Sequence, residues 1–351
     1  MEPVRLGVIG CGVICGSHLK LAAEYADAQV VAVADMMVER AKATAEKFSI
    51  PSYYGSDDEL LNDARIQAVV LALPTGVRTP IVFKALNHGK HVLIEKPIAM
   101  CAADVEKMIA LQKDRVAGCC SCRNVFSGHA EAATRCVESG ALGKIRMVRF
   151  RAMGAAPAKP SDAPPPWRQS MKANGGGILV NWSCYDLNYV MHIAGWQAKP
   201  KSVLAKWWPV GPKMTKYVAP GSDADSHYVA LIQCEDDIVL SMERSEFSSA
   251  VNEQAWEIIG TDATLHLCLV PQQGKPSVVT LDRFVPGQGV VSETIWEEKQ
   301  GYAGGSNVIR DFVDAIRNGR QPATDLKRAL VMQKITDAIY ASAAKGTCVA
   351  V

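Results

Sequence analysis

Val4-Arg5-Leu6-Gly7-Val8-Ile9-Gly10-Cys11-Gly12-Val13-Ile14-Cys15 is the stretch on which the fold turns. Its first six residues form an apolar run of strand length, and the run ends in a Gly-x-Gly loop. Gly10 permits a tight turn, and Gly12 lets the main chain approach a pyrophosphate. A helix opening behind the loop, expected from about Ser17 to Tyr25, then offers free N–H groups and a favourable dipole to an anion. The third position of this fingerprint is Cys15 rather than Gly or Ala, which predicts slightly looser packing of helix on strand. The loop alone says little, but its context says more. A second apolar run, Val30–Ala34, ends in Asp35, where a carboxylate can hold the hydroxyls of an adenosine ribose. A carboxylate there repels a 2′-phosphate, and Met36 and Met37 follow where an Arg would serve NADP. NAD is therefore favoured over NADP, with Arg40 one turn later as the feature that pulls the other way.

Working outward, strand-like runs recur at Ala68–Leu73, His91–Ile94 and Val116–Val125. Helical patterns lie between them at Val38–Phe48, Asp57–Ala64, Pro80–His88 and Ala102–Arg115. Short continuous apolar strands separated by amphipathic helices imply a parallel sheet covered on both faces. Thr79-Pro80 reads as a cap and first turn, and Asn87-His88-Gly89 as a stop.

After about residue 124 the pattern changes. A helix (His129–Ser139) leads to a long strand, Lys144–Met153, then a loop carrying Pro157, Pro160 and Pro164-Pro165-Pro166, and then Gly175-Gly176-Gly177 before another helix. Strands follow one another directly at Tyr228–Cys234, Ile238–Glu246, Gln254–Ile259, Ala263–Leu269, Ser277–Leu281 and Val290–Trp296. Such succession favours an antiparallel or mixed sheet with one exposed face. Two helices, Asn307–Asn318 and Leu326–Ala344, close the chain. The fold class expected is α/β, with a Rossmann doubly wound parallel sheet in residues 1–124. An α/β domain with a large open, mostly antiparallel sheet is expected in residues 125–351.

Composition excludes several classes. The 351 residues carry a formal net charge of +2 and no Lys/Arg run, so no nucleic-acid footprint is present. No apolar run approaches the ~20 residues of a membrane span, and Val4–Ile9 lacks the basic leader of a signal peptide. Eleven cysteines, an odd number scattered along the chain, fit reduced thiols and a cytoplasmic setting. Cys119-Cys120-Ser121-Cys122 has no second pair at ligand spacing, so it reads as small buried side chains and no metal is expected.

At the end of the fifth strand stands Glu95-Lys96-Pro97, and ligands of open parallel sheets bind outside the carboxyl ends of the strands. The Gly-Cys-Gly loop, Asp35, Glu95-Lys96-Pro97, the triple glycine and the closing pattern Phe312-Val313…Gly319…Pro322 together resemble the glucose–fructose oxidoreductase/inositol dehydrogenase/rhizopine catabolism (Gfo/Idh/MocA) family. The resemblance extends over essentially the whole chain. It implies an NAD-dependent oxidoreductase acting on a secondary alcohol of a sugar, polyol or glycoside. It also implies assembly as a homodimer or homotetramer through the C-terminal sheet.

It further implies site residues. Gly10, Gly12, Val13, Ile14, Asp35, Thr75, Glu95 and Lys96 would hold the cofactor, and Lys96 would also act in proton transfer. The family's Asp and His after the triple glycine fall at Asn181 and Tyr185, four residues apart and so on one helix face, with Asn188 and His192 continuing the stripe. Leu187, Val190, Met191 and Ala194 would face the core. Tyr for His resembles the branch containing glucose–fructose oxidoreductase and the dihydrodiol and xylose dehydrogenases. A phenol with a reference pKa near ~10 needs a neighbouring cation to act as a base at neutral pH, and Lys96 can supply it. Asn181 does not titrate, which limits it to orienting a substrate hydroxyl. Trp167-Arg168 resembles a substrate-contacting segment, the indole face suiting a sugar ring. Trp182 and Trp207-Trp208 read as core or interface. Where the family shows Pro-Asn, this chain has Pro74-Thr75-Gly76-Val77-Arg78. Arg78 is then either a charge for an anionic substrate group or, the plainer reading, a solvated helix start. Two other functions keep the same site: redox-assisted glycoside elimination with retained NAD, and non-catalytic sensing of a sugar or nucleotide.

Overall fold

The computed structural model describes residues 2–270, 276–298 and 308–351. The chain divides into two compact units, Met1–Ser121 with Ala173–Gly175 and Asn307–Gln333, and Cys122–Lys172 with Gly176–Ser306 and Lys334–Val351.

In the first unit β1 (Val4–Ile9), β2 (Ala28–Ala34), β3 (Ser52–Tyr54), β4 (Ala68–Leu71), β5 (His91–Ile94) and β6 (Ala117–Cys119) form a parallel sheet in the order β3-β2-β1-β4-β5-β6. The connecting helices are α1 (Val13–Ala23), α2 (Val38–Phe48), α3 (Asp57–Asn62), α4 (Thr75–Asn87) and α5 (Ala102–Gln112). Every residue of β4 is buried, as the continuous apolar run demands of a strand covered on both faces. Its neighbours Val92, Ile94, Val82 and Leu86 join the same core. α3 begins in a capping box: Ser56 Oγ accepts the Glu59 N–H at 3.2 Å, and Glu59 Oε2 accepts the Ser56 N–H at 3.1 Å.

The second unit is built on α6 (Gly128–Glu138), β7 (Ile145–Ala155), α8 (Ile178–Asn181), α9 (Ser183–Ile193), β8 (Pro200–Trp208), β9 (His227–Cys234), β10 (Val239–Ser248), β11 (Glu253–Gly260), β12 (Ala263–Leu267), β13 (Val278–Val285) and β14 (Gly289–Glu297), while the short α7 (Met171–Asn174) begins in this unit and ends in the first. α10 (Val308–Asn318), α11 (Leu326–Lys345) and β15 (Val349–Ala350) close the chain; the expected helix start at Asn307 lies outside the described residues. The nine-stranded sheet runs β14-β13-β12-β11-β7-β10-β9-β8-β15, antiparallel throughout except for the parallel β10–β7 pair. This is the α/β class expected from the sequence. Alternation along β8 and β9 buries Val203, Ala205, Tyr228, Ala230 and Ile232 while Leu204, Val229 and Leu231 face outward.

Four local expectations need correction. α1 starts at Val13, directly behind Gly12, because nothing separates the loop from the first helical turn. α4 starts at Thr75, so Pro80 sits inside it rather than at its first turn. The lost N–H is tolerated because Val82, Ala85 and Leu86 bury the helix on the sheet, while Thr79 Oγ1 bonds the Thr75 carbonyl at 3.2 Å. The apolar run Val116–Val125 is a strand only to Cys119 and then a 3₁₀ turn, Cys120–Asn124, since apolarity without period cannot tell the two apart. Finally, Asn181 and Tyr185 lie on consecutive helices, not on one helical face. Trp182 (φ −124°, ψ −38°) breaks the helix between them, its indole packed under the Arg244 guanidinium and edge-on to Tyr185.

None of the eleven cysteines forms a disulfide, and Cys119, Cys120 and Cys122 are buried. Among the described residues no helix is long and apolar enough to cross a membrane.

Candidate active site

In the first unit the glycine loop is built by contact rather than by propensity. Gly10 has φ +97°, and a Cβ on it would collide with the Ala72 carbonyl and Leu73. A Cβ on Gly12 would meet nothing within 4 Å, so the space in front of α1 is open. Gly12 is also the N-cap and supplies no side-chain cap, so the first-turn N–H groups behind it, with Val13 fully exposed, have no capping side chain of their own. An open cradle, an uncapped helix N-terminus and a nearby carboxylate suit an anionic dinucleotide. Cys15 is accommodated in the core at 1% exposure; its thiol is raised, and that of Cys11 lowered, chiefly by the hydrogen bond between them.

Asp35 is buried and fixes the loop: Oδ2 accepts the Cys11 N–H and Oδ1 the Met37 N–H, both at 2.9 Å. Arg40 comes within 3.7 Å of the same carboxylate. Thr75 is buried, and its hydroxyl bonds Asn174 Oδ1 at 3.0 Å. Arg78, at 1% exposure, is not a solvated helix start. Its guanidinium donates to the carbonyls of Leu73 and Pro97, tying the loop after β4 to the one after β5.

Glu95 and Lys96 follow β5, on the carboxyl edge that also carries the glycine loop. Glu95 is buried; Oε2 accepts the Lys96 N–H at 2.9 Å and Oε1 receives His18 Nε2 at 2.9 Å. Lys96 is the one half-buried residue in an otherwise buried stretch from Val92 to Ala99.

In the second unit the triple glycine acquires a steric reason. A Cβ on Gly176 would strike the Tyr340 hydroxyl, and one on Gly177 the Asp225 carbonyl. Asp225 caps the helix they introduce: Oδ1 accepts the Gly177 N–H and Oδ2 the Leu179 N–H, both at 2.8 Å, and Tyr340 donates to Oδ1 at 2.6 Å. Burial, then the Asp225 charge, holds the Tyr340 phenol well above its ordinary range, so it stays a donor.

Asn181 and Tyr185 are both buried. Asn181 Nδ2 donates to the Arg168 carbonyl at 2.6 Å, which brings two of the expected residues together. The Arg168 side chain pairs with Glu246 at 2.5 Å, and Gln169 donates to the same carboxylate. A cavity of about 150 Å³ beside Arg168 is lined by Pro164, Pro165, Tyr217 and Phe247. Trp167 stands 41% exposed in the proline-rich loop. The Tyr185 ring lies between Arg123, whose guanidinium is 5.4 Å from its centroid, and Trp182 at 5.7 Å. The next residue, Asp186, is fully buried and receives Arg244 Nη1 at 2.6 and 2.7 Å and Trp256 Nε1 at 2.8 Å. Leu187, Val190, Met191 and Ala194 are core, as their spacing predicts.

Sequence reasoning missed Asp186, Arg244, Asp225, Arg123 and His18. Only His18 left a signal: Cys15, His18, Leu19 and Ala22 repeat at helical spacing, and a histidine on that buried stripe needs a partner.

A parallel sheet with a dinucleotide cradle at its carboxyl edge, joined in one chain to a nine-stranded open sheet, defines a two-domain α/β protein of the nucleotide-binding oxidoreductase class. The chain belongs to the Gfo/Idh/MocA oxidoreductase family: residues 4–119 match its NAD-binding Rossmann domain and residues 134–351 its C-terminal α/β domain. Among curated relatives it is 28% identical over 193 residues to myo-inositol 2-dehydrogenase of Thermotoga maritima, covering 55% of each chain. It is 32% identical over 189 residues to trans-1,2-dihydrobenzene-1,2-diol dehydrogenase of Xenopus tropicalis, covering 51% of this chain and 52% of that one. The matches span about half the length of these relatives. Of solved structures, levoglucosan dehydrogenase in complex with NADH and levoglucosan superposes with a TM-score of 0.83 at 21% identity, covering 100% of this chain and 99% of that one. The aldose-aldose oxidoreductase of Caulobacter crescentus with glycerol gives 0.82 at 22% identity over the whole of both chains. At such identities these structures speak for the fold.

Proposed function

We propose that the protein is an NAD-dependent dehydrogenase that moves a hydride between a secondary alcohol of a sugar, polyol or glycoside and nicotinamide. The observation that carries this reading is Lys96, half-buried at the carboxyl end of β5 on the sheet edge that also holds the Gly10-Cys11-Gly12 cradle. Gly10, Gly12, Val13 and Ile14 would face the pyrophosphate, Asp35 the adenosine ribose, and Thr75 and Glu95 the nicotinamide end. When bound, the nicotinamide supplies the hydride acceptor or donor. Oxidation of an alcohol also releases a proton, and Lys96 Nζ with Tyr185 Oη takes it, returning it in the reverse direction. Asn181, Trp167 and Arg168 orient the substrate so that the reacting groups meet without a bimolecular search. The names of the curated relatives above, an inositol and a diol dehydrogenase, support an alcohol of this class.

A second copy of the chain is the partner proposed for the outer face of the nine-stranded sheet. There Leu204 and Leu231 are direct cross-strand partners and stand 52% and 51% exposed.

Replacing Lys96 with Met is expected to abolish turnover of a panel of sugars, polyols and glycosides while NADH still binds. Undiminished activity in that variant sinks the assignment. NADH accumulation in step with product, in the unaltered protein, separates net oxidation from transient oxidation coupled to elimination.

A further inference from the structure

We infer that His18 is a positioning residue for Lys96, acting through Glu95; this rests on the role proposed for Lys96 above. Glu95 uses both carboxylate oxygens, Oε2 for the Lys96 N–H and Oε1 for His18 Nε2, each at 2.9 Å. With the hydrogen placed on Nε2, the His18 ring is the donor and the Glu95 carboxylate the acceptor of this bond. The side chains of His18 and Glu95 are 1% and 5% exposed, so water does not substitute for either partner. Buried Cys120 lies beside them, its sulfur within 4.8 Å of a ring nitrogen of His18 and a carboxylate oxygen of Glu95.

The residue on the other side of Lys96 is fixed in the same way. The Pro97 carbonyl is bound by Arg78, a buried side chain from α4. Lys96 therefore sits between two chain neighbours anchored by buried basic groups, one from each of the helices that follow the β1 and β4 loops. Its own side chain is left half-buried. This arrangement fixes the Lys96 main chain on both sides of the residue. Because α1 is also the helix behind the glycine loop, His18 couples the cradle to the lysine within one rigid element.

The test compares H18A, H18Q and H18N with K96M. Gln reaches the Nε2 position and restores the donor to Glu95, whereas Asn is too short. Amide hydrogen exchange needs no substrate. In H18A the Lys96 N–H should exchange at least ~10-fold faster while β4 and the β1 amides keep their protection, and H18Q should restore it. With whichever of myo-inositol, levoglucosan, D-glucose or D-xylose is oxidised fastest, H18A should lower kcat ~10–100-fold with KM and NADH affinity within about twofold. H18Q should recover to within about threefold, and H18A should add nothing in a K96M background. Unchanged Lys96 exchange in H18A overturns the inference, as does equal loss in H18Q and H18N or a loss confined to NADH binding. If H18A does not fold, the H18Q–H18N pair decides by the same readouts. Full activity of K96M refutes the role given to Lys96, and the exchange arm still reports separately on the His18–Glu95 clamp.

Discussion

Removing Asp186 should unfold the second unit more readily than any loss of apolar contact nearby. Its carboxylate is fully buried and takes three hydrogen bonds, two from Arg244 Nη1 at 2.6 and 2.7 Å and one from Trp256 Nε1 at 2.8 Å. Burial pushes the Asp186 carboxyl up and Arg244 pulls it back, so the pair is expensive to form and worse to break. In D186A the guanidinium stays behind, 9% exposed, without its counter-charge. Breaking a buried pair on one side costs about 3–5 kcal/mol, and leaving the Trp256 N–H without an acceptor adds about 1–3 kcal/mol. The sum is a large part of the roughly 5–15 kcal/mol that holds a domain folded. At about 2–4 °C per kcal/mol for a domain of 150–250 residues, the melting temperature should fall by roughly 8–30 °C. D186L/R244M removes both charges and fills their space with apolar atoms, leaving only the Trp256 N–H to account for, about 1–3 kcal/mol. Urea unfolding of both single variants and the double variant, followed by tryptophan fluorescence, gives the coupling energy, expected to exceed about 2 kcal/mol. A loss under about 1 kcal/mol in D186A, or a double variant as unstable as the sum of the singles, refutes the argument. Because Arg244 also covers the Trp182 indole at 4.8 Å, D186A should disturb the helix break that separates Asn181 from Tyr185.

Three further outcomes are expected. D35S removes the carboxylate that holds the Cys11 and Met37 N–H groups and, with it, the one charged hydrogen bond proposed to the adenosine ribose; at about 1.5–3 kcal/mol for that bond NADH binding should weaken roughly 10–100-fold. NADPH should lose less; fluorescence titration with both nucleotides checks this, and equal losses would count against Asp35 as the discriminator. Burial pushes His129 down to about 4. The unfolded chain then takes up that proton first, so its contribution to stability is present above about pH 6.5 and is lost as pH falls towards 4, by at most about 1.4 kcal/mol per pH unit. Unfolding of H129Q across that window should show a slope smaller by about one proton, and an unchanged slope contradicts the assignment. L204K/L231K should dissociate the assembly proposed at the outer sheet face; light scattering that finds the unaltered protein monomeric would remove the premise.

The sequence by itself determined the alternation of strands and helices around β1, β2, β4 and β5, the parallel character of the first sheet and the existence of the cradle, because these rest on local signals; the short β3 (Ser52–Tyr54) and β15 (Val349–Ala350), and β8 (Pro200–Trp208), were not expected as strands. Continuous apolar runs such as Ala68–Leu71, the Gly10–Gly12 loop and the acid after β2 each act within a few residues or one βαβ unit. It misjudged places where packing overrides a local rule. Pro80 lies inside a helix and Arg78 is buried, since the sheet surface and two free carbonyls outweigh propensity and charge. Only tertiary structure decided what fixes the candidate residues. His18 meets Glu95 across 77 residues, Gly177 meets Asp225 across 48, and Asp186 meets Arg244 across 58. Hydrogen bonds between buried groups depend on distance and direction in space, and neither is written in the spacing of residues along the chain.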